Sequence, residues 1–245
     1  MTSDFIQQRL YLFGIWEPNL THWITNRLKS GDTFIDVGAN IGYYTLLASR
    51  LVKEGAVWAI EASPAIHKDL CHHLELNGAT NVRTVNAALA SKRERVQLFQ
   101  RWEHNPGATT MFAEPESKLM AETDAIPLTD LLSPEEFAKV RMIKIDVEGA
   151  EWSVAQGMAS LLSHAAPDLE LLVEASPQRG GYESSSLIKA FTDHGFNAYR
   201  LDNDYSYRAY ASPKPRRLSV LDSDLRSETE IVFSRANLTG VQVTN

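Results

Sequence analysis

The chain has 245 residues, 44% of them hydrophobic and 22% charged, and a formal net charge of -7. That composition suits a globular domain able to bury a sizeable core, and the negative balance argues against nonspecific binding to nucleic acid or an anionic membrane, which draws on a basic face. One cysteine, Cys71, excludes an intrachain disulfide and a Cys-rich zinc site; with no basic-then-apolar leader and no apolar run near the ~20 residues of a membrane span, a cytoplasmic monomer or homodimer is expected.

Residues 4–13 and 19–29 carry apolar positions at helical spacing, which predicts two N-terminal helices. An α/β alternation then begins. Thr33–Val37 predicts a strand, Gly38–Gly42 a turn and Tyr43–Val52 a helix. Ala56–Ile60 predicts the next strand, and Pro64 opens a helix reaching about Leu76. Val82–Val85 and Val96–Phe99 read as strands, whereas residues 100–125 lose periodicity and read as a long functional loop. Met142–Val147 predicts a buried strand, Gly149–Leu162 a helix, Leu169–Val173 a strand and Ser184–His194 a helix. Asn197–Leu201 and Glu230–Ser234 read as the last two strands, and residues 202–228 as polar loop. Strands alternating with helices imply a mainly parallel sheet covered on both faces, with ligands beyond the carboxyl ends of its strands.

The segment Asp36-Val37-Gly38-Ala39-Asn40-Ile41-Gly42 lies between a predicted strand and a predicted helix. Gly38 suits a tight turn or close ligand approach, and Gly42 suits tight helix packing. Glu61 follows the second strand, where a carboxylate can accept both ribose hydroxyls of an adenosine. The full G-x-G-x-x-G pattern of dinucleotide sites is missing, and Asp36 at the loop entrance would repel phosphate. Acids there suit S-adenosylmethionine, which has no phosphate and carries ammonium and sulfonium charges.

A second segment, Ile143-Lys144-Ile145-Asp146-Val147-Glu148-Gly149-Ala150-Glu151, resembles the signature of the FkbM family of methyltransferases. Trp16-Glu17-Pro18, the loop with Tyr43-Tyr44, Glu61-Ala62-Ser63-Pro64, Asn86-Ala87-Ala88-Leu89 and Glu174 match as well, so that the resemblance spans roughly residues 11–236. It implies a Rossmann-like class I fold: seven strands, the last antiparallel, with helices on both faces. On that pattern residues 1–30 form a helical segment on the substrate side and residues 31–245 the methyltransferase domain. The resemblance also implies methyl transfer from S-adenosylmethionine to a hydroxyl of a natural product or sugar. By position, Asp36, Gly38, Asn40 and Gly42 would hold the methionine part, and Glu61 with Ala62 the ribose. Asn86 and Ala87 would lie near the adenine, and Asp146 would face the methyl group.

Alcohol acceptors benefit from a base. Asp146 and Glu148 stand at a strand end, where either could take the proton or hold a divalent metal; Glu174 on a neighbouring strand end could share that metal. His104, in the aperiodic stretch, is a further candidate base. Glu17 either folds over the cofactor or punctuates a helix start capped by Asn19. Lys144 suits an ion pair with a nearby acid. Glu151 suits the first turn of a helix, where the macrodipole favours an acid. Trp16, Trp102 and Phe112 are candidate walls for the acceptor, and Trp23 reads as core. Other functions on the same pattern are an N- or carboxyl-methyltransferase and a noncatalytic cofactor-binding protein.

Overall fold

Burial on both faces explains the central strands. In β1 (Thr33–Val37), Phe34 points into one apolar cluster and Ile35 and Val37 into another on the opposite face. A strand buried on both faces is rich in apolar residues, as are β8 (Val140–Ile145) and β9 (Glu170–Ala175), each interrupted by charged residues. The computed structural model describes residues 5–102, 105–115, 117–211, 216–221, 225 and 227–243.

The main sheet also contains β2 (Ala56–Ile60), β3 (Val82–Val85), β10 (Asn197–Leu201), β12 (Ser219–Val220) and β13 (Thr229–Ser234), in the order β12-β10-β13-β9-β8-β1-β2-β3. The strands from β9 to β3 run parallel, while β13 runs antiparallel to both neighbours. The sheet thus holds the seven expected strands with the antiparallel one, and β12 adds an eighth at the edge through two residue pairs with β10.

On one face lie α2 (Pro18–Arg27) and α3 (Tyr43–Val52), with α4 (Pro64–Leu76) packed beside them over Ala59. α2 inserts Leu20, Trp23 and Ile24 into the shared core, so the N-terminal segment packs as part of the same body as the sheet. The other face is covered by α6 (Glu151–Met158) and α8 (Ser184–Thr192), whose Phe191 ring sits 4.6 Å from that of Phe233 on β13. The remaining helices are α1 (Phe5–Phe13), α5 (Pro134–Phe137), α7 (Pro177–Gly180) and α9 (Tyr207–Ala211).

Two expectations are corrected. Residues 100–125 are not an irregular loop. They fall largely within a second sheet built from β4 (Ala88–Leu89), β5 (Glu94–Trp102), β6 (Asn105–Thr110) and β7 (Lys118–Ile126), ordered β4-β7-β5-β6. Its inward positions on β7 include Thr123 and Ala125, too small and polar to mark a period, and its outer face is tied by pairs such as Arg95–Asp124 at 2.9 Å. Residues 202–228 are also not all loop: they contain α9, β12 and β11 (Arg216–Arg217), which pairs with β14 (Gln242–Val243). These elements are two to five residues long, below the length at which periodicity is readable.

Candidate active site

A cavity of about 420 Å³ opens at the carboxyl ends of β1, β2, β8 and β9. One end of it is made by the turn after β1. Gly38 has φ +81°, and a Cβ there would lie 1.8 Å from the Asp146 carbonyl oxygen, so only glycine lets the turn approach β8 this closely. The turn is fixed by Gly38 and Ala39 N–H donating to the Ile60 carbonyl at 2.9 and 3.0 Å. Asn40, itself at φ +51°, donates its backbone N–H to Glu61 Oε2 at 2.9 Å, and Ser63 N–H reaches Glu61 Oε1 at 2.8 Å. Burial outweighs these two donors and pushes the Glu61 carboxyl up to about 7. Gly38, Asn40, Glu61, Ala62 and Ala87 all line the cavity.

Three residues expected at the cofactor stand behind this wall. Asp36 is buried and accepts from Thr45 Oγ1 at 2.6 Å, anchoring the turn from below. Gly42 (φ +92°) packs on α4, where a Cβ would meet Leu70 at 2.6 Å. Asn86 donates to the carbonyls of Glu61 and Ala62 at 2.8 and 3.2 Å and so holds the strand end that bears the acid.

The other end of the cavity is a cluster of carboxyls around one buried amine. Asp146 and Glu174 line it from the ends of β8 and β9, and Glu17 closes it from the start of α2. Lys144 Nζ donates to Asp146 Oδ2 at 2.8 Å and faces the charges of Asp36 and Glu17. Burial disfavours the ammonium, but these three acids overcome it and raise its affinity for the proton. Burial also opposes ionisation of Asp146; Lys144 and a hydrogen bond from Glu174 override it and hold Asp146 below the usual carboxylate range. Burial and the charge of Asp146 push Glu174 well up.

The methyltransferase FkbM domain family matches residues 36–198, two thirds of the chain and all the residues lining the cavity except Ile6, Trp16, Glu17, Tyr205 and Glu228. The chain belongs to that family. Two curated relatives agree: Methyltransferase 1 of Beauveria bassiana is 31% identical over 147 residues, covering 52% of this chain and 59% of that protein. Methyltransferase sdnD of Sordaria araneosa is 26% identical over 161 residues, 54% of this chain and 62% of that protein. The chain thus matches about three fifths of the length of these relatives. Among solved structures, a putative rRNA-methylase from Clostridium thermocellum is similar at 12% identity and a TM-score of 0.53, covering 89% of this chain and 95% of that one. A SAM-dependent O-methyltransferase from Thermotoga maritima is similar at 14% identity and a TM-score of 0.51, covering 94% and 70%. At these identities the likeness is one of fold, the class I methyltransferase fold.

Within this FkbM-domain chain, Glu148 turns out of the strand at φ +54° and pairs with Arg179 of α7. Arg179 also reaches Glu228 at 3.1 Å and lines the cavity. Sequence patterning gave no sign of Arg179, Glu228 or Tyr205, because each comes from a loop or short helix that only the tertiary fold brings to the rim. Glu151 stands in the first turn of α6 as expected, and it is fully buried and accepts from Gly149 N–H and Tyr182 Oη, both at 2.8 Å, and from Ser176 N–H at 3.4 Å. It clamps the turn after β8 to the one after β9. Asn19 does not cap α2; its Nδ2 donates to the Asp202 carbonyl at 2.6 Å, and Glu17 occupies the cap position at φ +40°. Trp16 lines the cavity, and Trp23 is core as expected. Leu98, Thr109 and Met111 of the second sheet and its exit form a further wall. His104 and the side chain of Trp102 lie outside the described residues.

Proposed function

We propose that this chain is an S-adenosylmethionine-dependent methyltransferase acting on a hydroxyl of a small molecule. The observation that carries the reading is one cavity with two unlike ends: a buried carboxylate held by the glycine turn, and a set of acids around Lys144. The cavity volume falls in the range of small-molecule sites. Glu61 keeps lone pairs free on both oxygens after its two backbone bonds, which suits a ribose diol. Arg179 is the one Lys or Arg lining the cavity among the described residues, and it is already paired with Glu148 and Glu228. A phosphate would therefore meet carboxylates, whereas a sulfonium and an ammonium would be stabilised.

The cofactor supplies a methyl group on a cationic sulfur that leaves readily. The protein's part is to align the acceptor, exclude water and take a proton. Asp146, kept ionised by Lys144, is the group placed to receive the hydroxyl proton on Oδ as the new oxygen–carbon bond forms. Glu174, whose hold on its proton is strengthened by burial and by Asp146, supports the ionised Asp146 through their hydrogen bond. Among the described residues no three His, Cys, Asp or Glu side chains converge to hold a metal ion. The apolar wall of Leu98 and Met111 supports a small organic acceptor.

Calorimetry with S-adenosylmethionine and S-adenosylhomocysteine tests the cofactor half: both should bind, and absence of binding would sink it. Incorporation of labelled methyl into a panel of hydroxylated metabolites tests the rest. Asp146→Asn should lower turnover of any alcohol acceptor found by about 100-fold or more at saturating cofactor. Unchanged turnover would remove Asp146 from the proton transfer.

A further inference from the structure

We propose that Tyr205 is a positioning residue: it fixes the Glu17 carboxylate in the cavity wall and thereby couples occupation of the cavity to the seating of α1 and α9 over it. The inference rests on the cofactor reading above. Glu17 is a junction of three parts of the chain. It is 5% exposed, and its Oε2 accepts from Tyr44 Oη of α3 at 2.7 Å and its Oε1 from Tyr205 Oη at 2.6 Å. Its backbone N–H donates to Tyr210 Oη of α9 at 3.2 Å. A non-glycine residue at φ +40° costs conformational energy, so the surrounding contacts must hold it there.

Tyr205 connects this junction to the outside. Its backbone carbonyl accepts from Arg9 of α1 at 3.2 Å, and its ring lies 5.7 Å from that of Trp16. Arg9 is 4% exposed, with its guanidinium 4.2 Å over the Tyr207 ring; Phe13 packs on Tyr207 and Tyr210 at 5.9 and 5.3 Å. Thus α1 and α9 form one cap, stacked through rings and one cation. Ile6 of α1, Tyr205 and Glu17 all line the cavity, so the cap's inner surface is part of the site. By contrast α1 leaves Tyr11 84% and Leu12 52% exposed, and this stack and Tyr205 contribute to its hold on the body. A cationic ligand group that draws on Glu17 would strengthen a point where cap and core meet. The hydroxyl of Tyr205 transmits that pull, because it is the direct bond between Glu17's carboxylate and the 202–211 segment.

Hydrogen-exchange mass spectrometry with and without saturating S-adenosylhomocysteine tests this, alongside calorimetry. In the unaltered protein the ligand should slow exchange at residues 38–42 and also at 5–13 and 202–211. Tyr205→Phe keeps the ring against Trp16 and deletes one hydroxyl. It should retain protection at 38–42, lose the ligand-dependent protection at 5–13 and 202–211, and weaken S-adenosylhomocysteine binding by about tenfold. 5′-Methylthioadenosine, which lacks the amino-acid part, should protect 38–42 without protecting the cap. Cap protection that is absent in the unaltered protein, or equal in Tyr205→Phe, would overturn the coupling and leave the cofactor reading intact. No protection at 38–42 with either ligand would overturn both.

Discussion

Glu61 offers the sharpest quantitative test, because its charge is costly in the empty protein and needed in the complex. Its carboxyl is pushed from 4.5 to about 7 by burial, against the two backbone N–H groups that favour the ionised form. A displacement of that size corresponds to about 3 kcal/mol. The sign follows from the raised folded value: the folded chain holds this proton more tightly than the unfolded chain does. The associated stability is full below 4.5 and is lost as pH rises through 7. Glu151, also pushed up to about 7 by burial, contributes in the same direction, so the total slope does not isolate Glu61. The difference between the unaltered protein and Glu61→Gln does. Measured by urea unfolding, that difference should shift by roughly 2 to 3 kcal/mol against the unaltered protein between pH 5 and pH 8. Binding runs the other way. A ribose diol needs the ionised acid, so S-adenosylhomocysteine affinity should fall about 20-fold from pH 7.5 to 5.5 beyond any fall in Glu61→Gln, where the ligand's own titration is the same. Parallel pH profiles of binding for the two proteins would refute the ribose role. Parallel stability profiles would refute the raised carboxyl.

Two substitutions test the scaffold around this acid. Gly38→Ala places a methyl 1.8 Å from the Asp146 carbonyl at a positive φ, and should cost about 3 kcal/mol or more and abolish S-adenosylhomocysteine binding; wild-type unfolding and binding would show that the turn is slack. Glu151→Ala leaves the Gly149 and Ser176 N–H groups and the Tyr182 hydroxyl without their buried acceptor and should cost about 3 kcal/mol in urea unfolding at pH 6, while Gln156→Ala on the exposed side of α6 should stay within about 0.5 kcal/mol; equal effects would deny the clamp.

What the chain reveals before folding is uneven for a physical reason. β1, β2, β8 and β9 are largely buried, so short runs dominated by apolar residues announce them, and each short acid or glycine motif at their ends falls where a parallel sheet puts its ligands. Glu61, Gly38, Asn40 and Asp146 were legible on those grounds. Of the second sheet the Val96–Phe99 part of β5 was legible, but β7 was not, because it turns Thr123 and Ala125 inward, too small and polar to mark a period. Arg179, Tyr205 and Glu228 were invisible for a different reason. Each lies outside the long elements, and its place on the rim depends on the tertiary meeting of α7, the 202–211 segment and the approach to β13. Asp36 shows the converse: its motif position was right, but strand alternation turns its carboxylate toward Thr45 of α3, so that it supports the turn from within.

The same alternation explains how so many acids share one sheet edge. Asp36 on β1 stands in register with Lys144 on β8, which places the amine beneath the edge among Asp36, Asp146 and Glu17. Glu230 on β13 stands opposite Glu174 on β9, and burial raises both well above the ordinary carboxylate range. Lys144 holds Asp146, to which it is bonded, below the ordinary range, whereas burial raises Asp36 and Glu17 despite the same ammonium. Direct contact with the amine therefore separates Asp146 from the other carboxyls of the rim, and register sets that contact, because Lys144 stands two residues before Asp146 at the end of β8.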